Sequence, residues 1–151
     1  FWPRSENVER VGFIQGAVII FSVTTRIYYQ DTDAGGVVYH ARYLDFFERA
    51  RADWLRQLGF ESSKLVRDFG VILVVRKLVL NYHYPARLDD EVEICVDAVE
   101  VRRAQLTLTQ SIRRNGLMLT DASLNLASIH AGDFVPVRFP ESLKEALHHY
   151  V

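Results

Sequence analysis

A single long amphipathic segment, residues 40–58, stands in a chain whose other regular segments are mostly β-strand patterns. Its apolar residues recur at helical spacing and form one broad stripe, with charged residues on the opposite side. Gly59 follows the stripe and is suited to end the helix. A helix of this kind must bury its apolar face against another layer, and a single curved sheet is the partner available. The stripe consists of Tyr43, Leu44, Phe47, Ala50, Trp54, Leu55 and Leu58.

The rest of the chain predicts one β-sheet. Short connections join the later strands, and the pair Asn115–Gly116 is a typical two-residue hairpin, so neighbouring strands are expected to be antiparallel. Two short helices are also expected, from Ser62 to Phe69 and from Pro140 to His149. The predicted class is α+β, a five-stranded antiparallel sheet wrapped around one central helix. The predicted strands cover residues 17–29, 71–84, 91–101, 104–113 and 117–130.

Length and composition favour one globular domain. The chain has 151 residues, 49% of them apolar, and a formal net charge of -1. This balance gives no support for nucleic acid as the main partner. We predict a domain over residues 17–151 preceded by an arm, residues 1–16. No apolar run reaches the length of a membrane span, so we expect a cytoplasmic location.

The lone cysteine has no partner for a disulfide and cannot form a cysteine-based zinc cluster. Alternation in the strand places Cys95 in the polar phase with Glu93 and Asp97. A thiol between two carboxylates resists becoming a thiolate. We therefore predict a surface or interface cysteine rather than a nucleophile.

Two acids and two glycines lie between the first strand and the long helix, in a segment that includes Asp31, Asp33, Gly35 and Gly36. The catalytic motifs of the common nucleotide, serine and zinc sites are absent from the sequence. A calcium loop is rejected because its fifth and twelfth positions lack oxygen ligands. A divalent metal on the two acids and His40 is conceivable, but the glycines argue against the extended geometry it needs.

This segment has the parts required for acyl transfer to water. Backbone N–H groups at Val38, Tyr39 and His40, at the expected helix start, can polarise a carbonyl or bind an oxyanion. Gly35 and Gly36 allow a substrate to approach the backbone closely.

Asp33 can then attack the carbonyl or deprotonate a water molecule. The plain alternative weighs equally from spacing alone: Asp31 or Asp33 only forms turns, His40 caps the helix and Tyr39 packs.

The run from Tyr28 to Arg51 closely resembles the YbgC-like branch of the hotdog-fold acyl-CoA thioesterases, which is related to the 4-hydroxybenzoyl-CoA thioesterases. The shared motifs are Asp-Thr-Asp-Ala-Gly-Gly-Val-Val-Tyr-His from Asp31 to His40 and Glu-Arg-Ala-Arg from Glu48 to Arg51. A weaker likeness extends over residues 22–140 and includes Leu-Asp-Asp before the third strand.

The resemblance implies hydrolysis of acyl-CoA to free acid and coenzyme A, with no metal or other cofactor. It implies that Asp33 is the essential acid and that the backbone N–H of His40 polarises the thioester, with Tyr39 beside it. Substrate binding is then expected at Gly35, Gly36, Val37 and Val38. Short-chain or aromatic acyl groups are the expected substrates.

The resemblance also implies a homodimer or homotetramer with pockets at the subunit interface. It links the branch to the Tol-Pal system and to phospholipid metabolism, on the cytoplasmic side of a bacterial inner membrane. Two other functions stay open at this point. The pocket could hold an acyl carrier protein or a Tol-Pal partner with little turnover, or the fold could serve a hydratase or dehydratase.

Overall fold

The computed structural model describes residues 19–151, so the predicted arm at residues 1–16 lies outside the described part. Five strands form one antiparallel sheet around one long helix, α1 (Arg42–Gln57). The predicted α+β architecture is confirmed. The strands are β1 (Phe21–Arg26), β2 (Val71–Tyr82), β3 (Glu91–Val101), β4 (Gln105–Arg114) and β5 (Leu117–His130), in the spatial order β1-β3-β4-β5-β2.

The long helix is the centre of the core, as its sequence pattern predicts. It ends at Gly59, whose φ of 90° only glycine adopts readily, and the N–H of Phe60 returns to the carbonyl of Leu55 at 2.8 Å. Two shorter helical segments follow the predicted positions: α2 (Ser62–Lys64), continued by a π-helical turn (Leu65–Phe69), and α3 (Glu141–His148). The buried side chains of α1 are Tyr43, Phe46, Phe47, Ala50, Trp54 and Leu55.

Register shifts bend the sheet around this helix. They fall between Val75 and Lys77 in β2, between Val96 and Ala98 in β3, and near Ile112 in β4. Each extra residue in one strand of an antiparallel pair increases the local twist and bends the strand. The sheet therefore curves enough to cover α1 from one side.

The predicted hairpin at Asn115–Gly116 is confirmed. Both residues have positive φ, 49° and 79°, and they connect the paired residues Arg114 and Leu117. Positive φ at both central positions is the geometry of a type I′ turn, whose twist matches that of the strands it joins.

The first strand is shorter than predicted. It stops at Arg26, and the chain enters a 3₁₀ turn (Tyr29–Asp31). The cause is Asp31, whose carboxylate accepts the N–H of Tyr28 at 2.8 Å and folds the chain back on itself. The apolar pattern of the sequence continues beyond Arg26, which is why the prediction was too long, but this local hydrogen bond ends the strand there.

Cys95 is fully buried in the single chain, so the prediction of a surface or interface cysteine is wrong. It faces away from α1, but Ser22 and Ser111 flank it on the adjacent strands. Burial, reinforced by the charges of Glu93 and Asp97, raises the pKa of the Cys95 thiol to about 12. A neutral buried thiol is a poor nucleophile, which agrees with rejecting a catalytic role.

Candidate active site

The acidic, glycine-containing segment folds as a small hairpin over residues 32–38, here called the site hairpin. Thr32 pairs with Val38, and the N–H of Asp33 donates to the carbonyl of Val37 at 3.0 Å. Gly36 occupies the turn with a φ of 78°, a conformation that favours glycine. The site hairpin therefore holds Asp33 on one arm, while the other arm leads directly into α1.

The carboxylate of Asp33 lies over the turn of the hairpin. Its Oδ1 accepts the N–H of Gly35 at 2.8 Å, and the side chain is exposed in the single chain. A Cβ at Gly35 would lie 3.0 Å from this oxygen, a tight contact that would require the carboxylate to shift slightly. Within residues 19–151 the second oxygen, Oδ2, has no hydrogen-bond partner.

The other acid of the motif has a structural role. Asp31 is 2% exposed, and its two oxygens accept the N–H of Tyr28 and the Nε of Arg42, each at 2.8 Å. This contact raises the pKa of Arg42. Asp31 thus organises the turn and ties the site hairpin to the first residue of α1.

Sequence reasoning missed the role of Arg42. The sequence did contain a signal for this role, because a positive side chain in the first turn of a helix opposes the helix dipole. Such a residue is expected to have another reason for its place, and here that reason is the ion pair with Asp31.

The backbone donors differ from the expectation at two of three positions. The N–H of Val38 donates to the carbonyl of Ala86 at 2.9 Å, and the N–H of Tyr39 donates to the carbonyl of Asp31 at 2.9 Å. The expectation that both are free was wrong, because the chain forms hydrogen bonds there before α1 begins. Within the described residues the N–H of His40 has no acceptor, so of the three expected donors this one is unpaired.

The peptide after His40 is held by the end of β2. The hydroxyl of Tyr82 donates to the carbonyl of His40 at 2.6 Å, and the Tyr82 ring meets Tyr43 edge to face at 5.4 Å. The hydroxyl of Tyr43 in turn accepts the N–H of Ala86 at 3.1 Å. The rings of Tyr39 and His40 are exposed and lie 4.5 Å apart, beside the free N–H.

A loop before β3 supports the site hairpin from behind. Val37 bridges Arg87, and the carboxylate of Asp90 accepts the N–H of Arg87 at 2.8 Å. The same carboxylate forms an ion pair with Arg114, whose guanidinium also reaches the carbonyl of Pro85 at 3.2 Å. The Leu-Asp-Asp likeness noted in the sequence therefore corresponds to a loop that fixes the position of the site hairpin. Its partner Arg114 was not anticipated.

No group of three histidine, cysteine, aspartate or glutamate side chains suited to a metal ion occurs within residues 19–151. None of the described helices is both long enough and apolar enough to span a membrane.

Known proteins are similar in sequence to this chain over most of its length. An acyl-CoA thioesterase YbgC from Haemophilus influenzae is 45% identical over 129 residues, covering 85% of this chain and 95% of that protein. An acyl-CoA thioester hydrolase YbgC from Escherichia coli O6:H1 is 39% identical over 125 residues, covering 82% and 92%.

A solved structure and a family model indicate the same class of protein as these relatives. The crystal structure of a probable thioesterase from Bartonella henselae superposes with a TM-score of 0.75 at 35% identity, covering 79% of this chain and 98% of that one. The family model described as the Thioesterase superfamily matches residues 35–120, which include the turn of the site hairpin, α1 and most of the sheet. The chain therefore belongs to the Thioesterase superfamily, as a YbgC-like thioester hydrolase with the hotdog fold.

Proposed function

We propose that the protein hydrolyses acyl-CoA thioesters, with Asp33 as nucleophile or general base and the backbone N–H of His40 polarising the carbonyl. The acyl groups are short-chain or aromatic. The names of the YbgC relatives support the substrate class. One observation carries the assignment of the acid: of the two acids in the motif, only Asp33 is exposed and keeps a carboxylate oxygen free within the described chain.

The site hairpin supports a division of roles between its two arms. Asp33 lies on the first arm, and the second arm leads to His40, whose N–H is unpaired within the described residues. A thioester carbonyl that accepts this N–H becomes more electrophilic, and the negative charge of the tetrahedral intermediate is stabilised at the same donor. Gly35, Gly36, Val37 and Val38 would then line the approach of the substrate, with Tyr39 beside the reacting group.

Two routes satisfy the same geometry. In the first, the Asp33 carboxylate attacks the carbonyl carbon, the C–S bond breaks, and water hydrolyses the resulting anhydride. In the second, Asp33 removes a proton from water as the water oxygen attacks, and the coenzyme A thiolate leaves and is protonated. Both release one free acid and one thiol for each water consumed.

The test is Asp33→Asn, with thiol release as the readout. Loss of the acid should lower kcat by about a hundredfold to ten-thousandfold. Thermal stability should change little, because the side chain is exposed and an amide oxygen can still accept the N–H of Gly35. Asp53→Asn is the matched control, since Asp53 is an exposed acid on α1 that pairs, among the described residues, only with Arg56. Near-normal turnover by folded Asp33→Asn protein would rule out the proposal.

The two routes can be separated by rapid acid quench followed by mass spectrometry. Attack by Asp33 leaves the acyl group on the peptide that contains this residue, whereas the general-base route leaves that peptide unmodified. The absence of acylated peptide during steady turnover would favour the general base.

We further propose that the active form is a homodimer or homotetramer. In the described part of the chain, strand β2 is an edge of the sheet and carries exposed Val75 and Val79, with Tyr82 at its end beside the site. An unpaired apolar edge strand favours pairing with a second copy of the chain. Light scattering should give at least twice the 17.4 kDa mass of the chain, and Val79→Lys should weaken the assembly.

A cytoplasmic location, at or near the inner membrane, belongs to the same proposal.

Binding without turnover is the outcome that would replace the hydrolase proposal with a binding function. Weak hydrolysis of every acyl-CoA tried, together with tight binding of acyl carrier protein, would favour the carrier-binding function over the hydrolase.

A further inference from the structure

A cavity of about 310 Å³ lies on the inner side of the sheet, beside the second half of α1. It is separate from the site hairpin. Its walls come from α1, the segment after α2, the first half of β2 and the middle of β4 and β5. Aliphatic side chains form most of the lining, among them Leu65, Val71, Leu73, Leu106, Leu108 and Leu126.

One guanidinium interrupts this apolar lining. Arg51 lies on the cavity wall and is largely withdrawn from solvent, and its Nη1 donates to the Oε1 of Gln110 at 3.0 Å. Gln110 is 1% exposed and is itself fixed by donating to the carbonyl of Phe47 at 3.2 Å. The Gln110 contact orients the guanidinium but does not neutralise it.

The charge of Arg51 lacks a close counterion. Within residues 19–151 no carboxylate oxygen lies within 4.0 Å of its guanidinium. Burial lowers the pKa of Arg51, and the more distant charge of Glu48 only partly offsets this effect. Charges withdrawn from water are usually paired, so a cation in this position favours an anionic ligand.

The cavity and the proposed thioester site lie along the same helix. Leu44, Glu48 and Arg51 follow one another at spacings of four and three residues, which places them on one face of α1. From Arg42 to Arg51 the helix rises about 13 Å. Long helical side chains lean toward the helix N-terminus, so the guanidinium is directed back toward the end at which His40 lies. A short acyl chain that leaves His40 along this face of α1 would meet the guanidinium.

We propose that this cavity takes the acyl group of the thioester and that Arg51 binds a carboxylate at its far end. The preferred substrates are then short ω-carboxyacyl thioesters, in which the chain fills the aliphatic lining and the terminal carboxylate pairs with the guanidinium. This inference rests on the proposed function, and it adds the class of acyl group.

The test compares two thioesters of equal chain length, glutaryl-CoA and pentanoyl-CoA, which differ in the terminal carboxylate. Wild-type protein should give the higher kcat/KM with glutaryl-CoA. Arg51→Gln should lower kcat/KM for glutaryl-CoA by roughly tenfold or more, and for pentanoyl-CoA by less than about twofold. Arg51→Lys should retain part of the preference, since it keeps the charge but loses the planar fork.

Glu48 provides a variant with the opposite expected effect. Glu48 lines the same cavity, and its negative charge would repel an anionic acyl end. Glu48→Gln should therefore raise the ratio of the two kcat/KM values, whereas Arg51→Gln lowers it. An equal loss on both thioesters in Arg51→Gln, or a wild-type preference for pentanoyl-CoA, would overturn the inference and leave Arg51 a structural residue.

Binding measurements distinguish a failure of this inference from a failure of the proposed function. Calorimetry measures glutaryl-CoA and pentanoyl-CoA binding to Asp33→Asn protein, with and without Arg51→Gln. If the wild type hydrolyses neither thioester, the hydrolase proposal fails, and the binding ratio still decides the role of Arg51. Loss of glutaryl-CoA binding alone supports the inference, and unchanged relative binding refutes it.

Discussion

The Tyr82 hydroxyl, at the end of an edge strand, donates at 2.6 Å to the carbonyl of His40, just before the long helix begins. The two residues are 42 positions apart in the chain. This hydrogen bond fixes the peptide that follows the free N–H of His40. It therefore couples the position of β2 to the geometry of the proposed oxyanion donor.

Tyr82→Phe should remove this hydrogen bond and keep the edge-to-face contact with Tyr43. We expect kcat to fall roughly tenfold with KM nearly unchanged, because a mispositioned donor acts mainly in the transition state. The free energy of unfolding should fall by about 1 kcal/mol. Tyr84→Phe is the control, since the Tyr84 hydroxyl has no hydrogen bond within the described residues. Equal effects of the two substitutions on kcat would contradict the positioning role.

Asp31→Asn should damage the fold more than the chemistry. The buried carboxylate of Asp31 accepts a charge-assisted bond from Arg42, and loss of its charge should cost about 2 kcal/mol of unfolding free energy. Urea titration measures this loss. Activity per folded molecule should fall far less than in Asp33→Asn. A stable but inactive Asp31→Asn protein would contradict the assignment of Asp33 as the catalytic acid.

The two neighbouring glycines should respond differently to alanine. At Gly35 a Cβ would lie 3.0 Å from Asp33 Oδ1, so Gly35→Ala should displace the carboxylate and reduce turnover with little change in melting temperature. At Gly36 the space is open but φ is 78°, so Gly36→Ala should cost about 1–2 kcal/mol of stability. Thermal melts and thiol release on both variants check this contrast, and a reversed pattern would disprove it.

Alkaline pH should destabilise the protein through its buried thiol. Folding raises the pKa of Cys95 to about 12, from about 8.5 in an unfolded chain. Below pH 8.5 both states hold the proton and the thiol has no effect. Above it the unfolded state loses the proton first, so stability falls by about 1.4 kcal/mol per pH unit.

Cys95→Ser isolates this effect, because serine does not titrate in the same range. In urea unfolding at pH 7 to 11, the unfolding free energy of the wild type should fall relative to that of Cys95→Ser as pH rises. A difference that stays constant with pH would argue against the raised pKa.

Sequence alone determined the elements that depend on neighbouring residues. The stripe from Tyr43 to Leu58 has a helical period, and Gly59 ends it. Asn115–Gly116 can form a tight turn without help from the rest of the chain. With one long helix and strands joined by short connections, few arrangements bury the stripe, so the α+β architecture followed.

The tertiary structure decided which groups at the site are free to react. Spacing treats Asp31 and Asp33 alike, but only the fold brings Arg42 and the N–H of Tyr28 onto Asp31. The N–H of Val38 is occupied because Ala86, 48 residues later, lies against it. Burial and hydrogen-bond pairing are set by contacts between distant segments. They therefore do not appear in a local pattern of residues, however clear its period.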